Sequence, residues 1–202
     1  MYDSFVDWYW SIFRVGPTYG AFATQIAAFY SWLMLFASGL AFVRVFKQQL
    51  PLFIGWVFAI IALSYSTTDI VIASLYDFYR YFDSNQDYRA IAISYTILDS
   101  ITAIMVLLVM QRFCLSANRY IATVDLIVMI LLCNGAAHFI VNGYYMMFDN
   151  SENELMAMLY SATIMFNDTL LVALMFFPKL GQKISNRIFK KQSGLVSQYH
   201  SA

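Results

Sequence analysis

The chain has 202 residues, 61% of them apolar and only 12% charged, with a mean hydropathy of +0.62. Soluble domains carry about 45–50% apolar and about 25% charged residues, so a soluble fold with no lipid around it is excluded. Twelve Lys and Arg balance twelve Asp and Glu, which excludes nucleic-acid binding through overall basicity.

In chain order, residues 1–18 are too short and too polar to span a bilayer, and they carry no cleavable signal pattern. Phe5, Trp8, Tyr9 and Ile12 fall at helical spacing, with Trp10 and Phe13 beside them. Tryptophan and tyrosine favour the headgroup level, so this segment is expected to be an interfacial helix ending at Gly16-Pro17, with Trp8 and Trp10 at the membrane surface.

Residues 19–178 hold five hydrophobic stretches, at 21–46, 52–76, 90–110, 121–148 and 155–177. Each meets the roughly 20 residues that a helix needs to cross a bilayer, and none alternates as a barrel strand would. Their ends are marked chemically. Lys47-Gln48-Gln49-Leu50-Pro51 ends the first and offers a proline at a new helix start. Asp83-Ser84-Asn85-Gln86-Asp87 separates the second from the third, and residues 112–119 form a short turn after the third. Ser151 and Glu154 are spaced as a capping box before the fifth, and Pro178 closes it. Residues 179–202 form a basic tail. Leu180, Ile184 and Ile188 line one face, with Lys183, Arg187, Lys190 and Lys191 around them, as in an amphipathic helix on an anionic leaflet; a solvated stop-transfer tail is the alternative.

Charge sets the expected direction. With the carboxyl terminus inside, that side holds Arg44, Lys47, Arg112, Arg119, Lys179, Lys183, Arg187, Lys190 and Lys191, nine of the twelve basic residues, and no acid. Arg14, Arg80 and Arg89 lie outside among eight acids. By the positive-inside rule the amino terminus is outside and the carboxyl terminus cytoplasmic. The expected fold class is therefore all-α: a polytopic integral membrane protein with five transmembrane helices in a single bundle, flanked by an interfacial helix and a basic amphipathic one. The expected location is a bacterial cytoplasmic membrane.

Four acids remain inside the stretches: Asp69, Asp99, Asp125 and Asp168. An acid at the bilayer centre costs about 2.5–3.5 kcal/mol even on the lenient insertion scale, so such residues normally face the bundle interior and find partners. At a rise of ~1.5 Å per residue, Asp99, Asn134, Asn167 and Asp168 fall near the middles of their stretches, with His138 and Asp69 about one turn outward. Asp125 lies about one turn from the inner end, on the face of its helix opposite Asn134, and stands apart as a candidate inner gate. Asn134, His138 and Asn142 follow one another at i, i+4, i+8. Thr96, Asp99 and Thr102 share a face beside Tyr95, and Tyr160, Thr163 and Asn167 form a stripe next to that of Ser161 and Asp168. In the second stretch Ser64, Ser66, Thr67 and Thr68 lead into Asp69. These stripes are expected to converge on one interior pocket.

No lysine lies within a stretch, and Arg44 and Arg112 stand only at inner ends. Loss of hydration and mutual repulsion therefore oppose having all the central carboxylates charged at once. His138 is the natural partner for Asp99, Asp168 or Asp69. Carboxyls beside a histidine suit a proton relay or a small-cation site; as plain packing, they would hydrogen-bond across helices.

Other chemistries find little support. With His138 and His200 the only histidines, a bis-histidine haem within one chain is excluded, and a histidine-rich zinc site is disfavoured. Cys114 and Cys133 form neither a disulfide framework nor a metal spacing. No phosphate-binding loop, nucleophile elbow or dinucleotide fingerprint is present. The 18% of aromatic residues suit interfacial belts, and Ala23, Ala27 and Ser31, four apart, suit close helix packing.

Three readings follow. An ion- or proton-coupled transporter or channel subunit would use Asp69, Asp99, Asp168 and His138 for exchange, with Asn134, Asn142 and Asn167 as neutral ligands. An assembly subunit of a membrane complex, possible as a homo-oligomer, would use the same groups to set helix packing. A membrane-embedded enzyme acting on lipid ranks behind both. The partners expected are the lipid bilayer and a proton or small cation, with no cofactor, no metal and no nucleic acid.

Overall fold

A computed structural model describes residues 20–82, 87–113, 120–148, 154–184 and 187. The interfacial helix expected over residues 1–18, with Trp8 and Trp10, and the end of the tail, with Lys190 and Lys191, lie outside these. Among the described residues the chain is all helical: α1 Gly20–Phe46, α2 Leu52–Phe82, α3 Asp87–Phe113, α4 Ile121–Phe148 and α5 Glu154–Phe176. A shorter helical segment follows over residues 178–184.

Four of the five helices contain stretches long and apolar enough to cross a membrane: Phe29–Phe46, Ile93–Phe113, Ile121–Tyr144 and Met158–Phe176. In α2 the corresponding apolar stretch among the described residues is shorter, Leu52–Thr68. Large apolar side chains such as Trp32, Phe139 and Phe166 are more than half exposed on several helices. In water such a surface would be an aggregation hazard, whereas lipid accepts it. The fold is thus consistent with a helical membrane protein.

The helix ends follow local chemistry. α1 closes through Gln48, a non-glycine residue with φ of 57°, while the amides of Gln49 and Leu50 reach back to the Arg44 carbonyl at 2.8 and 3.3 Å. A side chain in this left-handed region costs about 1–2 kcal/mol, and glycine is the usual occupant. Gln48→Gly is therefore expected to raise stability by about 0.5–1 kcal/mol, read as a later unfolding midpoint in denaturing micelles. Pro51 then starts α2 by offering its carbonyl to the Ile54 amide at 3.1 Å.

α2 runs on to Phe82, beyond the end expected at residue 76, because residues 77–82 contain neither glycine nor proline to stop it. At ~1.5 Å per residue its 31 residues span about 46 Å, more than a hydrocarbon core of ~30 Å. α5 ends at Phe176 rather than 177, since a residue before proline is pushed out of the helical region. Pro178, expected only to close the fifth helix, also opens the next helical segment, where its missing N–H would be unpaired in any case.

α1 packs on α2, α2 on α3, α3 on α4 and α4 on α5, and α5 returns to α1. Small residues on α1 (Ser31, Ala37, Ser38 and Ala41) are buried, and they let neighbouring backbones approach without leaving voids. Arg44, near the end of α1, donates from Nη1 to the Phe176 carbonyl at 2.8 Å, so α1 and α5 end at one level.

Within the ring the interior divides into two layers. The layer at the level where α1 and α5 end is apolar and closely packed: Val57, Ile61, Val106, Ile127, Leu131 and Leu171 are completely buried. Beyond it, toward the other ends of the same helices, the interior turns polar.

Candidate functional site

The polar layer is organised by α4. Asn134, His138 and Asn142 sit one helical turn apart and are all buried, with Asn134 only 2% and His138 only 4% exposed. Gly135 lies against α3: a Cβ there would be 3.7 Å from Asp99 Cβ and 3.8 Å from the Thr96 carbonyl, so the two helices approach closely at this level. That approach brings Asp99 toward the α4 stripe.

Two clusters result. In the first, the Tyr160 hydroxyl of α5 meets His138 Nδ1 at 2.6 Å, and His138 Nε2 lies 3.6 Å from Asp99 Oδ2 of α3. The former is a short hydrogen bond; the latter is an ion-pair approach longer than a hydrogen bond. When the tyrosine donates to Nδ1, a single ring proton resides on Nε2 and faces the Asp99 carboxyl. Tyr95 stacks on the imidazole with centroids 4.7 Å apart and planes at 9°, while Tyr160 meets it edge-on at 5.3 Å. The imidazole is thus held at Nδ1 and on a ring face, with Nε2 directed toward Asp99.

In the second cluster, Asp168 of α5 accepts from the Tyr65 hydroxyl of α2 at 2.6 Å and from Asn134 Nδ2 at 3.0 Å, both at Oδ1. Asn134 Nδ2 is also 3.3 Å from the Tyr65 hydroxyl, and Asn134 Oδ1 accepts from Asn167 Nδ2 at 2.8 Å. Two donors converging on one oxygen of Asp168 fix the carboxyl in place. Further along α2 and α3, the Ser64 hydroxyl pairs with that of Thr102, which also bonds to the Leu98 carbonyl at 2.7 Å. Four helices, α2 to α5, are joined by side-chain contacts in this layer.

The structure therefore brings Asp99, His138, Asn134, Asn167 and Asp168 together in one layer, with Asn142 buried a turn further along the same stripe. His138 approaches Asp99, while Asp168 pairs with a tyrosine and an amide. Asp69 lies on α2, about one turn past Tyr65. Asp125 is exposed near the start of α4, separate from the layer. Lys183 and Arg187 are exposed beyond the end of α5.

Tyr65 lies outside the polar stripes expected from spacing, and Tyr160 belongs to one without a specific role. A usable signal was present: a tyrosine at mid-stretch, far from either interface, contradicts a belt role and needs a buried partner for its hydroxyl. Tyr65 sits at the centre of the 52–76 stretch.

Among the described residues, no group of three or more His, Cys, Asp or Glu side chains comes together that could hold a metal ion. The arrangement sets Tyr160, His138 and Asp99 in line across three helices and joins α2 to α5 by side-chain contacts. No protein-family model, curated protein or solved structure matches the chain.

Proposed function

We propose that the chain is a proton- or small-cation-coupled transport subunit, with Asp99, His138 and Tyr160 as the exchange site and Asp168 held beside it by Tyr65 and Asn134. One observation carries this reading: a side-chain chain from Tyr160 through His138 to Asp99 links three helices inside the bundle. A histidine contacted at both ring nitrogens can take a proton on one side and release one on the other, as a relay requires. Asn142 and Asn167 supply neutral polar groups along the same layer, and Asp69 stands at its α2 edge.

The reading has five membrane crossings, the amino terminus outside and the carboxyl terminus inside. The placement of nine of the twelve basic residues on one side supports it. On this reading the polar layer occupies the outer half and the apolar layer closes the inner half. A closed inner half favours a gated carrier over an open channel. Asp125 serves as an inner gate only if that apolar layer parts beside it.

The test is ion flux in proteoliposomes loaded with a pH-sensitive dye, under proton and alkali-cation gradients. Asp99→Asn with Asp168→Asn keeps shape and hydrogen bonding but removes both exchangeable carboxyl protons. Flux is expected to fall at least about tenfold, since general acid–base groups contribute on the order of 10²-fold or more. Equal flux from the double variant, or no flux from the native chain, overturns transport.

A second reading has its own supporting observation: the groups at Asn134 pair with one another across three helices, as in packing that sets register. For such an assembly subunit, the double variant preserves the activity of its complex.

A further inference from the structure

Past the end of α5 lies an arrangement the transport site does not use. Phe177 interrupts the helix for one residue, and residues 178–184 resume it. The new segment is pinned on one side. Gly181 is buried so closely against α4 that a Cβ would sit 2.8 Å from Thr123 Cα and 2.9 Å from Thr123 Cβ. Thr123, fully buried, donates its hydroxyl to the Pro178 carbonyl at 2.7 Å, and Leu180 packs against the apolar core.

With that side fixed, Lys179, Lys183 and Arg187 follow at i, i+4, i+8 and are all exposed. They form one basic stripe on the face opposite the docked one. The level is marked by two aromatic side chains, Phe46 at 83% and Phe177 at 66% exposed, each followed within two residues by an exposed lysine, Lys47 and Lys179. The Arg44 bond to the Phe176 carbonyl holds these two helix ends together. Outward-facing aromatics giving way directly to basic side chains match the change from hydrocarbon to headgroups. Asp125, the one acid among the described residues near this rim, is two residues from Thr123 and so about 200° around α4 from the docked segment.

We infer that Lys179, Lys183 and Arg187 form a binding stripe for anionic phospholipid headgroups, presented by the docking of Gly181 on Thr123. The stripe needs only a membrane and is independent of the transport reading. A lipid leaflet fits better than a soluble acidic partner because the apolar belt ends directly beside the stripe.

The experiment uses the full chain in nanodiscs of mixed phosphatidylglycerol and phosphatidylcholine, whose symmetry removes any dependence on insertion direction. Lipids retained by the extracted protein are then read by native mass spectrometry. The native chain should favour phosphatidylglycerol, and K179Q/K183Q/R187Q should reduce that preference by about fivefold per charge removed. K179R/K183R should keep it, and Gly181→Ala should lower it with every charge intact. In the native chain the preference should also shrink as salt is raised, a readout that needs no variant. An unchanged preference in the triple variant, no dependence on salt, or displacement of the lipid by inorganic phosphate overturns the lipid stripe. Full preference in Gly181→Ala overturns the docking that presents it.

Discussion

Asn134→Leu is expected to destabilise the chain by about 2–4 kcal/mol, the largest effect of any single change in the polar layer. Asn134 donates to the Asp168 carboxyl, lies within reach of the Tyr65 hydroxyl and accepts from Asn167, so three groups on two other helices lose a partner at once. In water such groups could turn to solvent. In a membrane interior an orphaned polar group keeps its full desolvation cost. The measurement is the unfolding midpoint in mixed denaturing micelles. Cys133→Leu is the control, one residue away but exposed on the outer surface of the helix, and it should change little. Equal midpoints for the two variants would mean that the hydrogen bonds around Asn134 carry no net stability, and the packing role of the layer would go with them.

Gly181→Ala should cost about 1–3 kcal/mol, although it adds a single methyl group. The new carbon would meet the Thr123 backbone at 2.8 Å, and a backbone atom in a helix cannot swing aside as a side-chain tip can. Either α4 shifts or the 178–184 segment lifts off it, breaking the Thr123 bond to the Pro178 carbonyl. Gly39→Ala is the matched opposite: nothing lies within 4 Å of its would-be Cβ, so the helix should gain about 0.5–1 kcal/mol. Thermal unfolding in detergent, with limited proteolysis after residue 184, separates the outcomes. A Gly181→Ala chain as stable and as protected as the native one would show that the contact at Thr123 yields freely.

The two layers of the interior bear differently on function. The apolar layer is ordinary membrane-helix packing, with small residues on α1 and branched side chains on α2 and α4. The polar layer instead pairs many of its groups across helices, as at Asn134, Asp168 and His138, while hydroxyls such as Thr102 also bond within their own turns. Such a layer ties the relative positions of α2 to α5 to the bonding state of a few side chains. This is the property a carrier needs to couple proton binding to helix movement.

The helical class, and apolar runs consistent with a membrane protein, were legible in the sequence, because each rests on local quantities. Apolar runs of sufficient length require helices, and a polar cluster such as Lys47-Gln48-Gln49 stops one. The inward direction of Asn134, His138 and Asn142 was legible for the same reason: a four-residue repeat of polar groups in an apolar helix has one economical orientation. Pairing was not legible. Whether His138 meets Asp99, Asp168 or Asp69 depends on how close α3 comes to α4, which Gly135 permits at that level. Mid-stretch depth marks Tyr65 among fifteen tyrosines as needing a buried partner, but that the partner is Asp168 depends on how α2 and α5 meet. The docking of Gly181 on Thr123 is of the same kind, a contact between residues 58 positions apart. Local chemistry decided where the polarity lies along each helix; only the closing of the helices into a ring decided which polar groups meet.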